Sequence, residues 1–367
     1  MKVSLITFHF ATSYGAVLQA YALCRVLTQA GHEVEIADYR PETMTNRPDW
    51  RRDRFYGFHP AHFEWWLTRR RFARFRTTFL PLSRKIYRTY AELQADPPDA
   101  EVYICGSDQI WNPQITNGSL DPAYFLEYAP AGRRRIAYAA SMGGTHLSPA
   151  CLAAFRPLVS RLDFISCREP ETSSFVTEMT GREAATVLDP ALLATHWEEW
   201  ECVGRPPRRP YVFAFTLQHR NDFLKAIAVS ARELACSARI ANGPWKWWML
   251  PGQPVFPGPD DWVHLMRHAT AVLTDSFHGT VFALLNHRNF VFIPLAGRLA
   301  DRNARIIRLL ESLGLQDRVS PPDALDTIRH LLHTPIDWPL VERRLAMLRQ
   351  SSSKFLLQAL SAPDPRR

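Results

Sequence analysis

Strand-like runs alternate with helical runs through most of the 367 residues, and this alternation limits the fold more than any other feature. "KVSLITF" predicts a strand, "GAVLQAYALCRVLTQAG" predicts an amphipathic helix that ends at Gly31, and "EVEIADY" predicts the next strand. Repeated strand–helix–strand units are typical of parallel sheets covered by helices. We therefore expect an α/β fold built from Rossmann-like domains.

A break in the alternation divides the chain. The stretch "ECVGRPPRRPYVFAF" combines prolines and arginines before the alternation restarts, and prolines in a polar stretch mark linkers. A chain of this length also exceeds what a single core usually sustains. We expect an N-terminal domain at 1–204 with a helical excursion at 45–95, a C-terminal domain at 205–340, and a terminal helix at 341–367 that ends in a disordered tail.

Composition excludes several classes of protein. No apolar run approaches the roughly 18 residues needed to span a bilayer, and "MKVSLITFHF" lacks the features of a signal peptide. We expect a cytoplasmic protein, with association with the inner face of the membrane as an open alternative. Six cysteines are scattered without a Cys-x-x-Cys pair, which predicts buried free thiols and neither a zinc site nor a redox dithiol.

The net charge of +8 and the pI of about 9.3 suit anionic substrates. No RNA-binding or helix-turn-helix signature is present, so we expect no nucleic-acid partner. Much of the excess charge lies in one predicted helix, 66–79, which carries both aromatic and basic residues. These are Trp66, Phe72, Phe75 and Phe79, with Arg69, Arg70, Arg74 and Arg76 around them. The segment is either a surface helix with a solvated face or a contact for a membrane or lipid-linked substrate.

Polar residues follow the predicted strands of the first domain, where ligands of parallel sheets bind. After the first strand come Ser13, a candidate helix N-cap, and then Tyr14, Gly15 and Gln19. Gly15 allows close approach of a ligand, and Gln19 lies one turn into the helix, where it is able to face the ligand. Turn chemistry alone explains the same residues, so both interpretations stay open.

The turn "CGSDQIWNP" is richer than a turn requires, because it adds amides and an aromatic ring to Gly, Ser and Asp. An aromatic face and several amides are a common way to hold a sugar. The candidate acceptor residues here are Ser107, Asp108, Gln109, Trp111 and Asn112, joined by Ser141 after the next strand. Arg168 ends another strand, where it either binds an anion or forms a salt bridge within its own turn.

In the second domain, "TDSFHGT" lies between an apolar strand and an apolar helix. We expect Gly279 and Thr280 to open that helix, whose amides and dipole favour an anion, with Ser276 at the strand end. His278 is a candidate general acid or base there, with a structural histidine as the alternative. Downstream arginines suit carboxylate and phosphate, although some are expected to be only solvated: Arg298, Arg302 and Arg305. No dinucleotide or P-loop signature is present.

These residues lie within motifs that resemble the polysaccharide pyruvyl transferase family, in the branch with GSDQIWN and SFHGT. The matching motifs, in order, are "YGAVLQAYAL", "GSDQIWNP", "AYAASMG", "ISCRE", "VLDPALL", "TDSFHGTVFALL" and "ARIIRLLESLGLQDR". The resemblance implies a GT-B-like fold of two Rossmann-like domains with the active site in a central cleft. It implies transfer of a pyruvyl group from phosphoenolpyruvate to a sugar, commonly as a ketal, with no metal or other cofactor. It also implies a functional histidine at the position of His278.

The chain departs from the family at one position. Characterised ketal-forming members often carry Arg two residues before the histidine, where this chain has Ser276. Arg168, Arg298 or Arg305 would then hold the donor. We expect Asp108 to deprotonate or orient a hydroxyl of a sugar or lipid-linked glycan in exopolysaccharide synthesis. The rival interpretations are a GT-B glycosyltransferase with a nucleotide-sugar donor and a non-catalytic binding protein that retains the cleft.

Overall fold

The computed structural model describes residues 1–45, 60–144, 147–194, 197, 207–242 and 250–362. The chain divides into two compact units. Unit 1 comprises Met1–Gly57, Arg74–Thr195 and Met347–Arg367, and unit 2 comprises Phe58–Ala73 and His196–Ala346. The division therefore lies before the expected boundary at 204/205, and the expected 45–95 excursion is shared between the units. The predicted linker at 201–206 and the predicted disordered tail at 363–367 lie outside the described residues.

Unit 1 contains one sheet of seven parallel strands in the order β3-β2-β1-β4-β5-β6-β7. The strands are β1 Lys2–Ile6, β2 Glu33–Tyr39, β3 Leu82–Tyr87, β4 Val102–Cys105, β5 Arg134–Ala140, β6 Phe164–Cys167 and β7 Ala185–Thr186. The chain order reverses at β1, which pairs with β2 on one side and with β4 on the other. Such a switch point is where open parallel sheets usually bind their ligands.

The helices of unit 1 cover this sheet. They are Tyr14–Gln29, Glu42–Thr45, Tyr90–Ala95, Pro149–Ser160, Pro170–Thr180 and Pro190–Leu193, with a 3₁₀ turn at Pro122–Phe125. Every residue from Tyr14 to Cys24 is buried, as expected for a helix enclosed in a core. Two longer helices, Pro60–Phe79 and Trp338–Ser361, are each divided between the units.

Strand register brings the polar turns of unit 1 together. Ile6 pairs with Cys105, Cys105 pairs with Ala137, and Ala140 pairs with Cys167. The turns after β1, β4, β5 and β6 therefore emerge side by side at the edge formed by the carboxyl ends of the strands, which we call the carboxyl edge of unit 1.

Unit 2 repeats this plan with five parallel strands in the order β10-β9-β8-β11-β12. The strands are β8 Tyr211–Phe215, β9 Ser237–Ala241, β10 Gln253–Val255, β11 Ala271–Thr274 and β12 Asn289–Phe292. The helices are Asn221–Glu233, Pro259–Arg267, Phe277–Leu285, Asn303–Leu313 and Leu325–His333, with 3₁₀ turns at Gly297–Arg302 and Gln316–Arg318. Thr274 pairs with Phe215 and with Phe292, so the turns after β8, β11 and β12 share the carboxyl edge of unit 2.

The basic and aromatic segment at 66–79 buries two of its aromatic side chains and exposes Arg69, Arg70 and Arg74. Phe72 and Phe75 are each 1% exposed, and the Phe75 ring packs 6.1 Å from that of Tyr21. Phe72 and Phe75 are therefore internal and not available to a membrane, whereas a membrane contact through the exposed residues of the segment stays a prediction. Trp66, at 49% exposure, remains on the surface beneath Arg70. Among the described helices, none combines the length and apolar character that crossing a membrane requires.

The cysteines follow the sequence-based expectation where they are described. Cys24, Cys105, Cys151 and Cys167 are free and buried, and Cys236 is free and partly buried. Burial raises the pKa of Cys105 and Cys167 well above the ordinary thiol value, which keeps these thiols protonated and unreactive. Cys202 lies outside the described residues.

Candidate functional site

The turn after β4 presents Asp108 at the carboxyl edge of unit 1. Its carboxylate is partly exposed, and one oxygen accepts a 2.9 Å hydrogen bond from the backbone N–H of Gln109. The residue has a φ of +72°, a left-handed conformation that Asp adopts more readily than most residues. Ser141 holds both ends of the turn, because its N–H donates to the Asp108 carbonyl and its carbonyl accepts from the Trp111 N–H, both at 3.1 Å.

The two predicted amides of this turn bind each other. The Asn112 amide group donates to the Gln109 side-chain oxygen at 2.8 Å, and both side chains are nearly buried. Gly143 packs directly on this pair, since a Cβ at that position would lie 2.5 Å from an atom of each amide. The pair therefore shapes the wall behind Asp108, and its role in holding an acceptor sugar stays a prediction.

Trp111 is placed differently from our expectation. Its side chain is fully buried, its ring stacks on Phe125 at 5.2 Å, and its indole N–H donates to the Tyr124 carbonyl at 3.0 Å. The expectation of an exposed ring face for a sugar is wrong, because both the ring and its polar atom are used within the core of unit 1. A tryptophan in a polar turn carries enough apolar area to favour burial beneath that turn.

Gln19 is also internal. It is fully buried, its side-chain oxygen accepts from the Ser107 N–H at 3.1 Å, and its amide donates to Thr7 at 2.9 Å. The expectation that Gln19 faces a ligand is therefore wrong, and the residue instead joins the turns after β1 and β4. Tyr14 and Gly15 lie buried in the first turn of the same helix, behind Ser13, which occupies the N-cap position without a side-chain cap bond.

Arg168 forms the salt bridge that the sequence left open as an alternative. Its guanidinium donates to Glu169 at 3.0 Å and to Asp189 at 2.9 Å, and its side chain is only 3% exposed. Burial acts to lower the pKa of Arg168, but the negative charges of these two residues and of Asp108 raise it above the ordinary value. This cation is neutralised within unit 1, which weakens the expectation that it holds a donor.

The sequence places Glu169 directly after Arg168 at this strand end, but it does not predict that Asp189 joins them. Glu169 also accepts a 2.9 Å hydrogen bond from the Ser141 hydroxyl, and Asp189 lies 3.4 Å from the Ser107 hydroxyl. Asp189 additionally caps the short helix Pro190–Leu193 through the Ala191 N–H at 2.9 Å. An Asp directly before Pro at a predicted helix start is a signal for such a cap, although not for the ion pair.

A second buried cluster lies at the same edge, after β1 and β2. Both ring nitrogens of His9 face oxygen acceptors, the Thr7 carbonyl at 3.1 Å and the Asp38 carboxylate at 2.9 Å. Arg40 donates to both Asp38 oxygens, at 2.6 and 2.7 Å. Burial acts to raise the pKa of Asp38, but the hydrogen bonds from His9 and Arg40 and their charges leave it below its ordinary value.

At the carboxyl edge of unit 2, the helix begins at Phe277, two residues earlier than expected. Ser276 is its N-cap, and the Ser276 hydroxyl accepts from the Gly279 N–H at 3.3 Å. Thr280 is buried and donates its hydroxyl to the Ser276 carbonyl at 3.1 Å. A Cβ on Gly279 would lie 2.2 Å from the Thr274 hydroxyl oxygen. The expectation that Gly279 and Thr280 open the helix is wrong, because the helix begins at Phe277 and Gly279 packs against Thr274 of β11. A role of either residue in binding the donor stays a prediction.

His278 lies in the first turn of this helix and is partly exposed. Its ring packs edge-on against Phe277, with centroids 5.1 Å apart, and the guanidinium of Arg305 lies 5.4 Å from the same Phe277 ring. The structure thus brings two of the predicted residues into contact with one aromatic ring, at the positive end of the helix dipole. Arg298 is exposed on the 3₁₀ turn Gly297–Arg302, away from any described contact with this pair.

Asp275 joins turns of unit 2, a role that the sequence pattern does not predict. Its carboxylate accepts from the N–H groups of Leu217 and Gln218 at 2.6 and 3.0 Å and from the Thr216 hydroxyl at 2.9 Å. Burial raises the pKa of Asp275, against the effect of these bonds. Gln218 in turn exchanges two 2.8 Å hydrogen bonds with the backbone of Ala296, so the turns after β8, β11 and β12 form one connected layer.

Several solved structures have low sequence identity to this chain but a similar fold. UDP-GlcNAc 2-epimerase from Methanocaldococcus jannaschii is 13% identical over 92% of this chain and 93% of its own, with a TM-score of 0.54. AviGT4, a glycosyltransferase involved in avilamycin A biosynthesis, is 13% identical over 98% and 97%, with a TM-score of 0.53. UDP-GlcNAc 2-epimerase from Neisseria meningitidis, bound to UDP-GlcNAc, is 11% identical over 98% and 99%, with a TM-score of 0.52.

At these identities the likeness shows the fold alone, which is the α/β GT-B type with two Rossmann-like units. No curated protein matches the chain significantly in sequence. The family model described as polysaccharide pyruvyl transferase matches residues 14–296, a span that includes both carboxyl edges with Asp108 and His278. Since that match covers most of the chain, this protein belongs to the polysaccharide pyruvyl transferase family.

Proposed function

We propose that the protein transfers a pyruvyl group from phosphoenolpyruvate to two hydroxyls of a sugar in a polysaccharide or glycan precursor, forming a ketal. The observation that carries the proposal is that His278 and Arg305 both lie against the Phe277 ring, at the positive end of a helix. A proton donor and a guanidinium at a helix N-terminus suit a small dianionic enol ester. Membership of the transferase family supports the same reaction class.

The donor is assigned to the carboxyl edge of unit 2. Ser276 replaces the family arginine, and its hydroxyl is used as the N-cap, so a positive charge must come from elsewhere. Arg305 is the candidate, because it lies against the residue next to His278. Arg298 is exposed and is a second candidate if the donor extends along the 3₁₀ turn.

The proposed chemistry starts at the donor methylene carbon. The imidazolium of His278 gives its proton to that carbon, and the electron pair of the C=C bond forms the new C–H bond, leaving an oxocarbenium centre. A sugar hydroxyl attacks this centre and loses its proton to the Asp108 carboxylate. Phosphate then leaves with the electrons of its C–O bond and takes up the proton that Asp108 received. A second hydroxyl closes the ketal as its proton returns to the His278 imidazole, so both groups regain their starting protonation. The products are the ketal and inorganic phosphate.

A thermal-shift titration tests the donor. We expect phosphoenolpyruvate to stabilise the protein saturably, and UDP-, GDP- and CMP-sugars not to do so. His278→Ala and Arg305→Ala should weaken this stabilisation or remove turnover. Arg308→Ala, on the same helix as Arg305 and paired with Glu311 at 3.2 Å, and His330→Ala, an exposed histidine, are matched controls expected to behave as wild type.

The rival functions give different results in the same experiment. Stabilisation by a nucleotide sugar alone would contradict the proposal and indicate a glycosyltransferase. Saturable binding of phosphoenolpyruvate without phosphate release, over a screen of neutral and lipid-linked glycans, would indicate a non-catalytic binding protein.

A lipid-linked acceptor would bring the enzyme to a membrane. The exposed part of helix Pro60–Phe79, with Trp66, Arg69 and Arg70, is then the proposed contact with anionic lipid. Sedimentation with phosphatidylglycerol vesicles tests it, and loss of binding in Arg69→Ala/Arg70→Ala, but not in Arg232→Ala/Arg343→Ala, is the expected result.

A further inference from the structure

We infer that Glu169 and Asp189 are positioning residues for Asp108. Glu169 acts through Ser141, and Asp189 acts through Ser107. The inference rests on the proposed function of Asp108 as the group that meets the acceptor hydroxyl. Both acidic residues are nearly buried, whereas the Asp108 carboxylate is partly exposed. Of the three, Asp108 is therefore the residue placed to touch a ligand.

The first connection runs from Glu169 through Ser141. One Glu169 oxygen accepts from both the Ser141 hydroxyl at 2.9 Å and Arg168 at 3.0 Å. Ser141 itself binds the Asp108 carbonyl and the Trp111 N–H through its backbone. Holding the Ser141 side chain therefore restricts the peptide that carries Asp108 at both of its ends.

The second connection runs from Asp189 through Ser107, the residue directly before Asp108. One Asp189 oxygen lies 2.9 Å from Arg168 and 3.4 Å from the Ser107 hydroxyl. That hydroxyl also donates to the Ala139 carbonyl at 3.0 Å, and it has only one proton to share. The longer distance predicts a weaker effect through Asp189 than through Glu169.

Arg168 links the two connections because it binds both carboxylates at once. In a buried setting, hydrogen bonds to charged groups are stronger than on the surface, and each limits the freedom of the next. The result is a turn whose shape depends on charged residues from two later parts of unit 1. A role in stability alone would not require that the two carboxylates each reach a serine that holds Asp108.

Hydrogen–deuterium exchange of the peptide 106–112 measures how firmly the turn is held, and it does not require turnover. We expect Glu169→Gln and Ser141→Ala to speed exchange in this peptide about tenfold, and Asp189→Asn to do so less. Asp38→Asn is the matched control, because it removes an equally buried ion-paired carboxylate from the same unit. It should speed exchange near 38–40 and leave 106–112 unchanged. Ser166→Ala, a buried serine within β6, is the corresponding control for Ser141→Ala.

Kinetics supply the second readout. With a working acceptor, Glu169→Gln should lower kcat about tenfold while the KM for phosphoenolpyruvate stays unchanged, because the donor is held by unit 2. Unchanged exchange at 106–112 in both Glu169→Gln and Ser141→Ala would overturn the inference, even in an active enzyme. Equal acceleration in Asp38→Asn would overturn it too. Absence of phosphoenolpyruvate turnover in the wild-type protein would instead count against the proposed function, and the exchange result would still decide the positioning role.

Discussion

At the carboxyl edge of unit 1, buried charged side chains join the turns, whereas in unit 2 the Asp275 carboxylate and the Gln218 side-chain amide join them. Arg168 is neutralised by two acids in unit 1, and elsewhere in the same unit Asp38 is paired with Arg40 and hydrogen-bonded to His9. Asp275 in unit 2 binds two backbone N–H groups and one hydroxyl.

Under the proposed function, this difference gives the two edges different ligands. In unit 1 the guanidinium of Arg168 is paired with two buried carboxylates, and the partly exposed group is the carboxylate of Asp108. In unit 2 the carboxylate of Asp275 accepts hydrogen bonds from the neighbouring turn, and the partly exposed groups are His278 and Arg305. A hydroxyl-rich acceptor suits the first edge, and an anionic donor suits the second.

The largest expected effect comes from removing the cation of unit 1. Arg168→Ala leaves Glu169 and Asp189 buried without their counter-charge, and breaking a buried ion pair in this way costs about 3–5 kcal/mol of unfolding free energy. Urea denaturation measures the loss. Arg161→Ala, which removes a mostly exposed partner of Glu127, should cost less than about 1 kcal/mol. Similar losses in the two variants would show that charge burial does not distinguish this edge.

A smaller effect is expected where the wall behind Asp108 is packed. Gly143→Ala forces a left-handed residue with a φ of +70° to carry a Cβ that overlaps the Gln109–Asn112 pair. Strain and overlap together should cost about 2 kcal/mol. Gly144→Ala is the control, because nothing lies within 4 Å of its added Cβ, and it should change stability by less than about 0.5 kcal/mol. Thermal unfolding of both variants checks this, and equal melting temperatures would contradict it.

Replacing the carboxylate that joins turns in unit 2 should have a smaller effect on the free energy of unfolding. Asp275→Asn replaces one acceptor oxygen by an NH2 group, which cannot accept from the Leu217 or Gln218 N–H, and we expect a cost of about 1–2 kcal/mol. The loss should appear in the free energy of unfolding and as faster hydrogen exchange at 216–218. Asp222→Asn, at a partly exposed carboxylate in the same unit, should have little effect on either measurement. If Asp275→Asn destabilised as strongly as Arg168→Ala, the contrast between the two edges would fail.

The pH dependence of stability should have opposite signs for the two acids. The pKa of Asp38 is lowered in the folded state, so its contribution is present above the ordinary value of 3.8 and is lost as pH falls through the folded pKa. The pKa of Asp275 is raised, so its contribution is complete below 3.8 and is lost as pH rises through the folded pKa. Urea midpoints of wild type, Asp38→Asn and Asp275→Asn across acidic pH measure both slopes. Slopes of the same sign would contradict this assignment.

Local pattern was sufficient for the elements of the fold. The strand before Ser107, the helix after Tyr14 and the strand before Asp275 were all predicted, because apolar runs and their bounding turns are written in adjacent residues. The motifs from 14 to 285 also carried the family resemblance that the family model then matched. The unit boundaries could not be predicted from local pattern, because Phe58–Ala73 belongs to a unit whose other residues lie far later in the chain.

The amino-acid sequence by itself determined the two parallel α/β units, the family and the turns at which chemistry is expected. Only the tertiary structure decided which polar residues of those turns are used internally. Trp111 and Gln19 became buried supports, Arg168 became a salt-bridge partner, and Glu169 and Asp189 joined the turn that carries Asp108. The physical reason is that burial and pairing depend on residues brought together from distant strands, and no local pattern encodes which charge will find its partner.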